Sequence, residues 1–187
     1  MYMFLQNIFP FILAFLMLIV LFFLIYLIYS IIIFLITGVP FVPTPRKYFK
    51  VLFKEVKLKD SDVVYDLGCG TGSFLFAAKK AGAKNLIGYE LSPALVLVAK
   101  VLNFFKRAEI KFICGNFMKV DISDATFIYI FLVGPVLPNI WDKIKKETKP
   151  GTIVVSLSSQ IPKVEHFKKI KTKPKKTKST LFYFYQV

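Results

Sequence analysis

The most informative pattern in the sequence is Val63-Val64-Tyr65-Asp66-Leu67-Gly68-Cys69-Gly70-Thr71-Gly72-Ser73. A β-branched run ends in an acid, and three glycines follow at every second position. A largely apolar, helix-like run begins directly after them. This succession predicts a strand, a tight turn and a helix. Because glycine has no Cβ, the turn lets the backbone approach a ligand closely, next to the free N–H groups of the helix N-terminus.

Two kinds of nucleotide site have a loop of this type. A dinucleotide site has G-x-G-x-x-G, with a pyrophosphate at the helix N-terminus. This loop is G-x-G-x-G, with Asp66 two residues before the first glycine, and it resembles motif I of the class I S-adenosylmethionine (SAM) methyltransferases. The next predicted strand ends in Glu90, 24 residues after Asp66, where a carboxylate can accept both ribose hydroxyl hydrogens. The alternative is a glycine turn in an unrelated α/β protein.

Strands and helices alternate through the rest of the chain. We predict strands at 62–67, 85–90, 109–114, 125–132 and 151–157, with helices at 73–82, 92–106 and 136–147. Such alternation is typical of a parallel sheet with helices on both faces. Two more strands, 164–170 and 180–186, form a hairpin with a basic tip, and a loop replaces the fifth crossover helix. The expected fold is α/β: a seven-strand Rossmann-like sheet of five parallel strands plus a C-terminal antiparallel hairpin, preceded by one transmembrane helix.

Charge is distributed very unevenly along the chain. Residues 1–45 have no charged side chain, whereas the remainder holds all 26 basic and 11 acidic residues and a net charge of +15. Residues 11–36 are apolar except for two tyrosines and a serine. At ~1.5 Å per residue, a helix of this length crosses a ~30 Å hydrocarbon core. A cleaved signal peptide is the rival, but it has a charged n-region and a shorter apolar core. We expect Pro10 in the first helical turn and residues 38–40 at the helix end.

The flanking charges predict the orientation of this span in the membrane. Six cations follow it before residue 60, namely Arg46, Lys47, Lys50, Lys54, Lys57 and Lys59. The positive-inside rule therefore places the C-terminal domain in the cytoplasm of a single-pass cell-membrane protein that contacts the bilayer through residues 11–36.

Three regions follow from these patterns. We expect an anchor at 1–39 and a proline-rich linker with a covering helix at 40–60. The resemblance to the class I methyltransferases implies a SAM-dependent methyltransferase domain at 61–187. Three prolines make the linker stiff. We expect Thr44 to be the N-cap of the covering helix at 45–57 and Pro45 its first residue. That helix is expected to have Tyr48, Val51, Leu52 and Val56 on one face and lysines on the other.

Further motifs resemble a narrower family. Gly88-Tyr89-Glu90-Leu91-Ser92-Pro93 resembles G-Y-E-L-N-P, and Asn116-Phe117-Met118-Lys119 resembles D-L-W-K. Gly134-Pro135-Val136-Leu137-Pro138 resembles P-x-V-L-P, and Asp142-Lys143-Ile144 resembles D-K-L. These are motifs of the small membrane-associated protein-lysine methyltransferases, whose eukaryotic members modify the c subunit of ATP synthase and the adenine nucleotide translocase. The resemblance covers roughly residues 41–187 and makes a mitochondrial membrane a second candidate location.

The resemblance implies a cofactor, SAM, and a set of residues that bind it. They are Asp66, Gly68, Cys69, Gly70, Gly72, Glu90, Leu91, Asn116 and Phe117. The family has Asp in place of Asn116, facing the adenine N6 amino group. Asn accepts that bond through its carbonyl oxygen but lacks the charge. Met118 replaces a family Trp and removes an aromatic wall.

A substrate lysine must lose a proton before methyl transfer, because the pKa of an unperturbed amine is ~10.4. Burial in an apolar slot lowers that pKa. Open α/β sheets bind ligands beyond the carboxyl ends of their strands. We therefore expect the slot at Leu132, Val133, Gly134 and Pro135, with backbone carbonyls of the first two orienting the amine. Neither a covalent nucleophile nor a metal is required.

The other chemically notable residues have simpler interpretations. Cys69 and Cys114 are expected to be reduced and half-buried, and the spacing of His and Cys indicates no metal site. His166 is interpreted as a surface or edge residue, and Trp141 as a core residue. The seven lysines between residues 168 and 178 lack interleaved aromatics, so lipid or solvent is favoured over nucleic acid.

The predicted function is methylation of a lysine of an integral membrane protein by a membrane-anchored SAM-dependent enzyme. One alternative keeps the enzyme and makes the substrate a lipid or quinone. The other is a non-catalytic SAM-binding module that docks to anionic lipid or nucleic acid.

Overall fold

The computed structural model describes residues 2–37, 44–132, 134–172 and 180–187. The chain divides into two compact units, Met1–Pro40 and Phe41–Val187. Most of the predicted linker (38–43), the slot residue Val133 and most of the predicted basic tip (173–179) lie outside the described residues.

The first unit is one long helix, α1 (Tyr2–Thr37). Its segment Ile8–Tyr29 is 22 residues long and contains an 18-residue window with a mean hydropathy of 3.3, so by length and composition it can cross a membrane. Pro10 lies inside α1, and its predicted place in the first turn is wrong. The apolar run continues the helix on the N-terminal side of the proline, although a proline cannot donate the backbone hydrogen bond of a helix interior.

The second unit contains the remaining helices and strands. In chain order they are α2 (Arg46–Glu55), β1 (Val63–Leu67), α3 (Ser73–Lys80), β2 (Asn85–Glu90), α4 (Pro93–Lys106), β3 (Lys111–Cys114), β4 (Phe127–Ile130), α5 (Leu137–Glu147), β5 (Ile153–Leu157), β6 (Lys168–Lys171) and β7 (Leu181–Gln186). Short 3-10 helices occupy Phe117–Lys119 and Gly134–Val136.

All seven strands form one sheet in the order β3-β2-β1-β4-β5-β7-β6. β1 to β5 are parallel, and β7 pairs antiparallel with both β5 and β6. Residues 158–167, which join β5 to β6, contain no helix. The predicted α/β fold, with five parallel strands, a C-terminal antiparallel hairpin and no fifth crossover helix, is confirmed. The sheet changes its winding direction between β1 and β4, where open α/β sheets bind ligands.

Alternate residues of the strands build two cores, one on each side of the sheet. On one side Val64, Phe127 and Tyr129 pack with buried residues of α2, α3 and α4. On the other side Tyr65, Leu67 and their neighbours pack with α5. Both faces are covered, which explains why every residue of β4, Phe-Ile-Tyr-Ile, is buried.

The start of α2 differs from the prediction. Its N-cap is Pro45, with ψ 125 in the extended region and no side-chain cap bond, so Thr44 is not the N-cap. The helix is held to the domain by Phe49 and Leu52, of which only Leu52 was predicted. Phe49 packs edge-on against Phe74 and Tyr129 of the first core. Aromatic packing across three elements therefore positions this helix, and it was not visible in the helical pattern.

The strand β6 is shorter than predicted and begins four residues later, at Lys168. Residues 164–167 run irregularly beside β7, with the Phe167 N–H donating to the Phe184 carbonyl at 2.9 Å. His166 therefore lies before the strand, where it is half-buried and its ring centroid is 5.3 Å from that of Tyr183.

Two interior side chains of α5 have structural roles. Trp141 is 7 % exposed and packs against Tyr185, as predicted for a core residue. Lys143, from the D-K-L-like motif, is 8 % exposed. Its Nζ donates to the Val120 carbonyl and to both carboxylate oxygens of Glu147 at 2.6–2.7 Å. A buried cation needs such partners, so this lysine ties α5 to the segment before β4.

Candidate cofactor-binding site

The predicted cofactor residues gather at the carboxyl ends of three neighbouring strands. Leu67 at the end of β1 pairs with Tyr89, and Glu90 at the end of β2 pairs with Cys114 of β3. The glycine loop follows β1, and Asn116 follows β3 by two residues. These residues are far apart in sequence, and the parallel register brings them to one edge of the sheet.

The glycine loop is tied to β2 by two backbone bonds. The N–H groups of Gly68 and Cys69 both donate to the Tyr89 carbonyl at 2.9 Å. Gly68, Gly70 and Gly72 have φ angles of 88°, 52° and 80°, in the left-handed region that other residues rarely adopt. Glycine at every second position therefore turns the chain directly from β1 into α3.

Packing is a second reason why position 72 requires glycine. A Cβ placed there would lie 2.5 Å from the tip of the Phe112 ring, which is itself buried and packs against Phe76. Nearby in β2, a Cβ at Gly88 would lie 2.7 Å from Leu75 Cδ1 and 2.8 Å from Cys69 Sγ. The loop thus lies closely against its neighbours on both sides.

Replacing Gly72 with Ala is expected to destabilise the second unit by about 2–4 kcal/mol, since a backbone cost adds to an overlap with Phe112. The matched control is Gly82→Ala, where φ is 103° and no atom lies within 4 Å of the added Cβ. The control should lose only the backbone cost of about 1–2 kcal/mol. Denaturant unfolding followed by Trp141 fluorescence measures both changes, and equal losses would show that the ring overlap does not matter.

The carboxylate of Glu90 is fixed by two backbone donors. Gly70 N–H donates to Oε2 and Ser92 N–H donates to Oε1, each at 2.9 Å. Each carboxylate oxygen has a second lone pair that can accept another hydrogen bond. Ser92 is also the N-cap of α4, with its Oγ accepting from Leu95 N–H, and Pro93 begins the helix as predicted. Glu90 is therefore preorganised to accept two hydroxyl hydrogens from one ligand.

Asp66 lies next to this carboxylate and is 2 % exposed. Burial raises the pKa of its carboxyl group well above the usual value, and the charge of Glu90 raises it further. Within the described part of the chain, no Lys or Arg forms an ion pair with Asp66 or Glu90. The site therefore has an excess of negative charge that a cationic ligand would offset.

Cys69, between the first two glycines, is buried. Burial, followed by the charge of Asp66, raises the pKa of its thiol, so the side chain is neutral and serves packing. Cys114 is exposed, so its predicted half-burial is wrong. It is the last residue of β3, a short strand at the edge of the sheet.

The side of the site formed by β2 and β3 is apolar and open. Leu91 is 39 % and Met118 is 38 % exposed, and Phe117 is half-buried. The Asn116 side-chain oxygen accepts from Met118 N–H at 2.9 Å, which fixes its direction. Gly115 N–H donates to the Glu90 carbonyl at 2.9 Å. Asn116 is thereby held beside the end of β2 with one lone pair of its oxygen still available.

The predicted substrate slot follows β4. Leu132 is half-buried, and its Cδ2 would be 3.1 Å from a Cβ at Gly68. Gly134 and Pro135 begin the 3-10 helix that leads into α5. The three described slot residues thus lie beyond the carboxyl end of β4, and Leu132 directly borders the glycine loop.

Sequence reasoning missed how Glu90 is oriented. The donors are backbone N–H groups of the glycine loop and of the α4 N-cap, which no side-chain pattern displays. One signal was present: the Ser92-Pro93 cap fixes the first turn of α4 two residues after Glu90, and so directs the Ser92 N–H group back toward the acid.

Comparison with known proteins identifies the family. The family model of the ANTKMT methyltransferase domain matches residues 66–168. A protein-lysine N-methyltransferase of Saccharolobus islandicus is 40% identical over 129 residues, which are 66% of this chain and 78% of the relative. This chain belongs to the ANTKMT methyltransferase-domain family. An adenine nucleotide translocase lysine N-methyltransferase of Mus musculus is 29% identical over 127 residues, which are 66% of this chain and 55% of the mouse protein.

A solved structure of the same fold identifies the class of cofactor. The RNA methyltransferase of Salinibacter ruber, in complex with S-adenosyl-L-homocysteine, superposes with a TM-score of 0.68 at 27% identity. The match covers 78% of this chain and 93% of that one. This ANTKMT-family chain is therefore a SAM-dependent methyltransferase, and the acidic pair of Asp66 and Glu90 fits a cationic ligand with two adjacent hydroxyl groups.

Proposed function

We propose that this chain methylates a lysine side chain of an integral membrane protein. The observation that carries the proposal is the 40% identity to a protein-lysine N-methyltransferase over most of that protein's length. The mouse relative is named for the adenine nucleotide translocase, which supports a membrane-protein substrate. The apolar helix α1 supports the same substrate class, because an enzyme held in the bilayer meets membrane proteins first.

Asp66 and Glu90 would bind the cofactor through complementary charge and hydrogen bonds. The two free acceptor positions of Glu90 would take the ribose hydroxyls, and the nearby Asp66 carboxylate would offset the positive charge of SAM. The adenine ring of SAM would contact Leu91, Asn116 and Phe117. When bound, SAM supplies a methyl group on a sulfonium sulfur.

The chain's part in methyl transfer would be to align a neutral lysine amine and to exclude water. Leu132 and the start of α5 offer an apolar wall beside the glycine loop. Burial there favours the uncharged amine, whose lone pair forms the new N–C bond while the electrons of the broken S–C bond remain on sulfur. The nitrogen then releases a proton to solvent.

We further propose that α1 anchors the protein as a single span with the second unit in the cytoplasm. Six cations at residues 46–59 follow the apolar helix, whereas residues 1–45 contain none. SAM is made inside cells, so the methyl donor is available on that side. If protease added outside intact cells removes the second unit, the orientation is wrong.

A radiolabel transfer tests the enzymatic proposal. The detergent-solubilised full chain is mixed with methyl-labelled SAM and with membranes from cells that lack it, and protein is then separated from lipid. The control is the double variant Asp66→Ala, Glu90→Ala. Label in the lysines of a small hydrophobic protein, absent with the control, is the expected result.

Two other outcomes would overturn the proposal. Label in the lipid extract alone would make the substrate a lipid or quinone. SAM binding without any transferred label would indicate a non-catalytic SAM-binding module. Asn116 in place of the family's Asp is the feature that supports this alternative.

A further inference from the structure

The outer face of α4 is apolar although it faces away from the domain. Five large apolar side chains on it are 45–77 % exposed, namely Leu97, Val98, Val101, Phe104 and Phe105. Their spacing places them on one stripe of the helix, opposite the buried Val96 and Ala99. Single exposed apolar residues are ordinary, but a continuous stripe with two phenylalanines marks a contact surface.

The charges around this stripe indicate its partner. α4 contains no acidic residue, and Lys100, Lys106 and Arg107 lie beside or at the end of the stripe. α2 packs against the same side of the sheet and exposes Arg46, Lys47, Lys50 and Lys54. A helix with an apolar face flanked by cations is typical of segments that lie in the surface of an anionic membrane.

We propose that this stripe, Leu97, Val98, Val101, Phe104 and Phe105, is a lipid-binding surface that enters the headgroup–acyl boundary of an anionic bilayer. A second copy of the chain is a poorer partner, because it would bring two proteins of net charge +15 together. Anionic lipid instead offers complementary charge for the cations and an apolar medium for the phenylalanines.

The surface would also set the height of the cofactor site above the membrane. The N-cap of α4 is Ser92, whose N–H group donates to Glu90. A helix lying in the membrane surface would therefore keep the cofactor-binding edge beside the headgroups. In that position the cofactor-binding edge would meet lysines of membrane proteins that lie just outside the bilayer. This role in substrate access rests on the proposed function, whereas the proposed lipid binding does not.

Depth-dependent fluorescence quenching tests the lipid contact without any methyl transfer. The full chain with Cys114→Ser is reconstituted in vesicles of phosphatidylcholine and phosphatidylglycerol. A single accessible cysteine, from Leu97→Cys or Phe104→Cys, carries a small environment-sensitive dye, while the buried Cys69 stays unlabelled. The vesicles contain nitroxide-labelled lipid. Asn139→Cys is the matched control, since Asn139 is exposed on α5 on the opposite side of the sheet.

Labels at 97 and 104 should be quenched at least about threefold more than the label at 139, since such helices bury ~5–10 Å into the boundary. Equal quenching at the three positions would overturn the proposal. So would a blue shift at 104 that grows with protein concentration and is insensitive to nitroxide lipid, because it would show that a second copy covers the stripe. Failure of the quenching would leave the methylation assay unaffected, so the two proposals fail separately.

Discussion

The variant Glu90→Gln is expected to bind SAM roughly 100-fold more weakly than the native chain. The Glu90 carboxylate accepts N–H bonds from Gly70 and Ser92 and is proposed to accept two ribose hydroxyls. The side-chain amide of Gln has only one acceptor oxygen, so its NH₂ group must face one of the two N–H donors. The loss of one charged hydrogen bond, at about 1.5–3 kcal/mol, accounts for a change of this size.

Equilibrium binding of SAM to the solubilised full chain measures the effect. The matched control is Glu109→Gln, an exposed acid whose only described ion pair joins it to Lys79. S-adenosylhomocysteine should lose affinity to a similar extent, because it has the same ribose. If the variant binds SAM within about threefold of the native affinity, the carboxylate does not hold the ribose.

The variant Asp66→Asn is expected to have two opposite effects. Without ligand it should raise the unfolding midpoint at neutral pH, because burial and the charge of Glu90 make ionisation of Asp66 unfavourable in the folded state and Asn does not ionise. It should also weaken SAM binding by about tenfold or more, because the carboxylate no longer offsets the positive charge of the ligand. The loss should be smaller for S-adenosylhomocysteine, which lacks the sulfonium.

The pH dependence of stability provides a separate check. The pKa of Asp66 is raised in the folded protein, so its stabilising contribution is complete below the unfolded pKa of ~3.9. That contribution is lost as the pH rises from the unfolded pKa through the raised pKa of Asp66 in the folded state. The unfolding midpoint of the ligand-free chain should fall over the same pH range. Asp66→Asn should remove this fall, whereas Asp60→Asn, an exposed control paired with Lys84, should retain it.

Trp141 makes these measurements specific to the second unit. It is the only tryptophan, it is buried, and it packs against Tyr185, so its fluorescence reports unfolding there without a signal from α1. If Asp66→Asn lowers both the midpoint and the SAM affinity, the carboxylate has a structural role and the charge argument is wrong.

Much of the geometry of the site could be predicted, because its residues occupy fixed positions at the ends of successive strands. Gly68, Gly70 and Gly72 need positive φ angles, and Glu90 must end the next strand, so both appear as local patterns. The structure differs from the prediction where contacts between residues distant in sequence determine the local structure. In α2 the core buries Phe49, which was not among the predicted residues, and β6 begins at Lys168, where its pairing with β7 begins.

Local patterns along the chain set the alternation of strands and helices, the apolar character of α1 and the loop between Asp66 and Ser73. These follow from local spacing, since periodicity and glycine placement act over a few residues. Long-range packing, by contrast, buries Asp66 beside Glu90, brings Gly70 and Ser92 to the Glu90 carboxylate, and leaves the stripe on α4 exposed. Burial and the direction of a backbone N–H group depend on segments distant in sequence, and the sheet register alone brings those segments together.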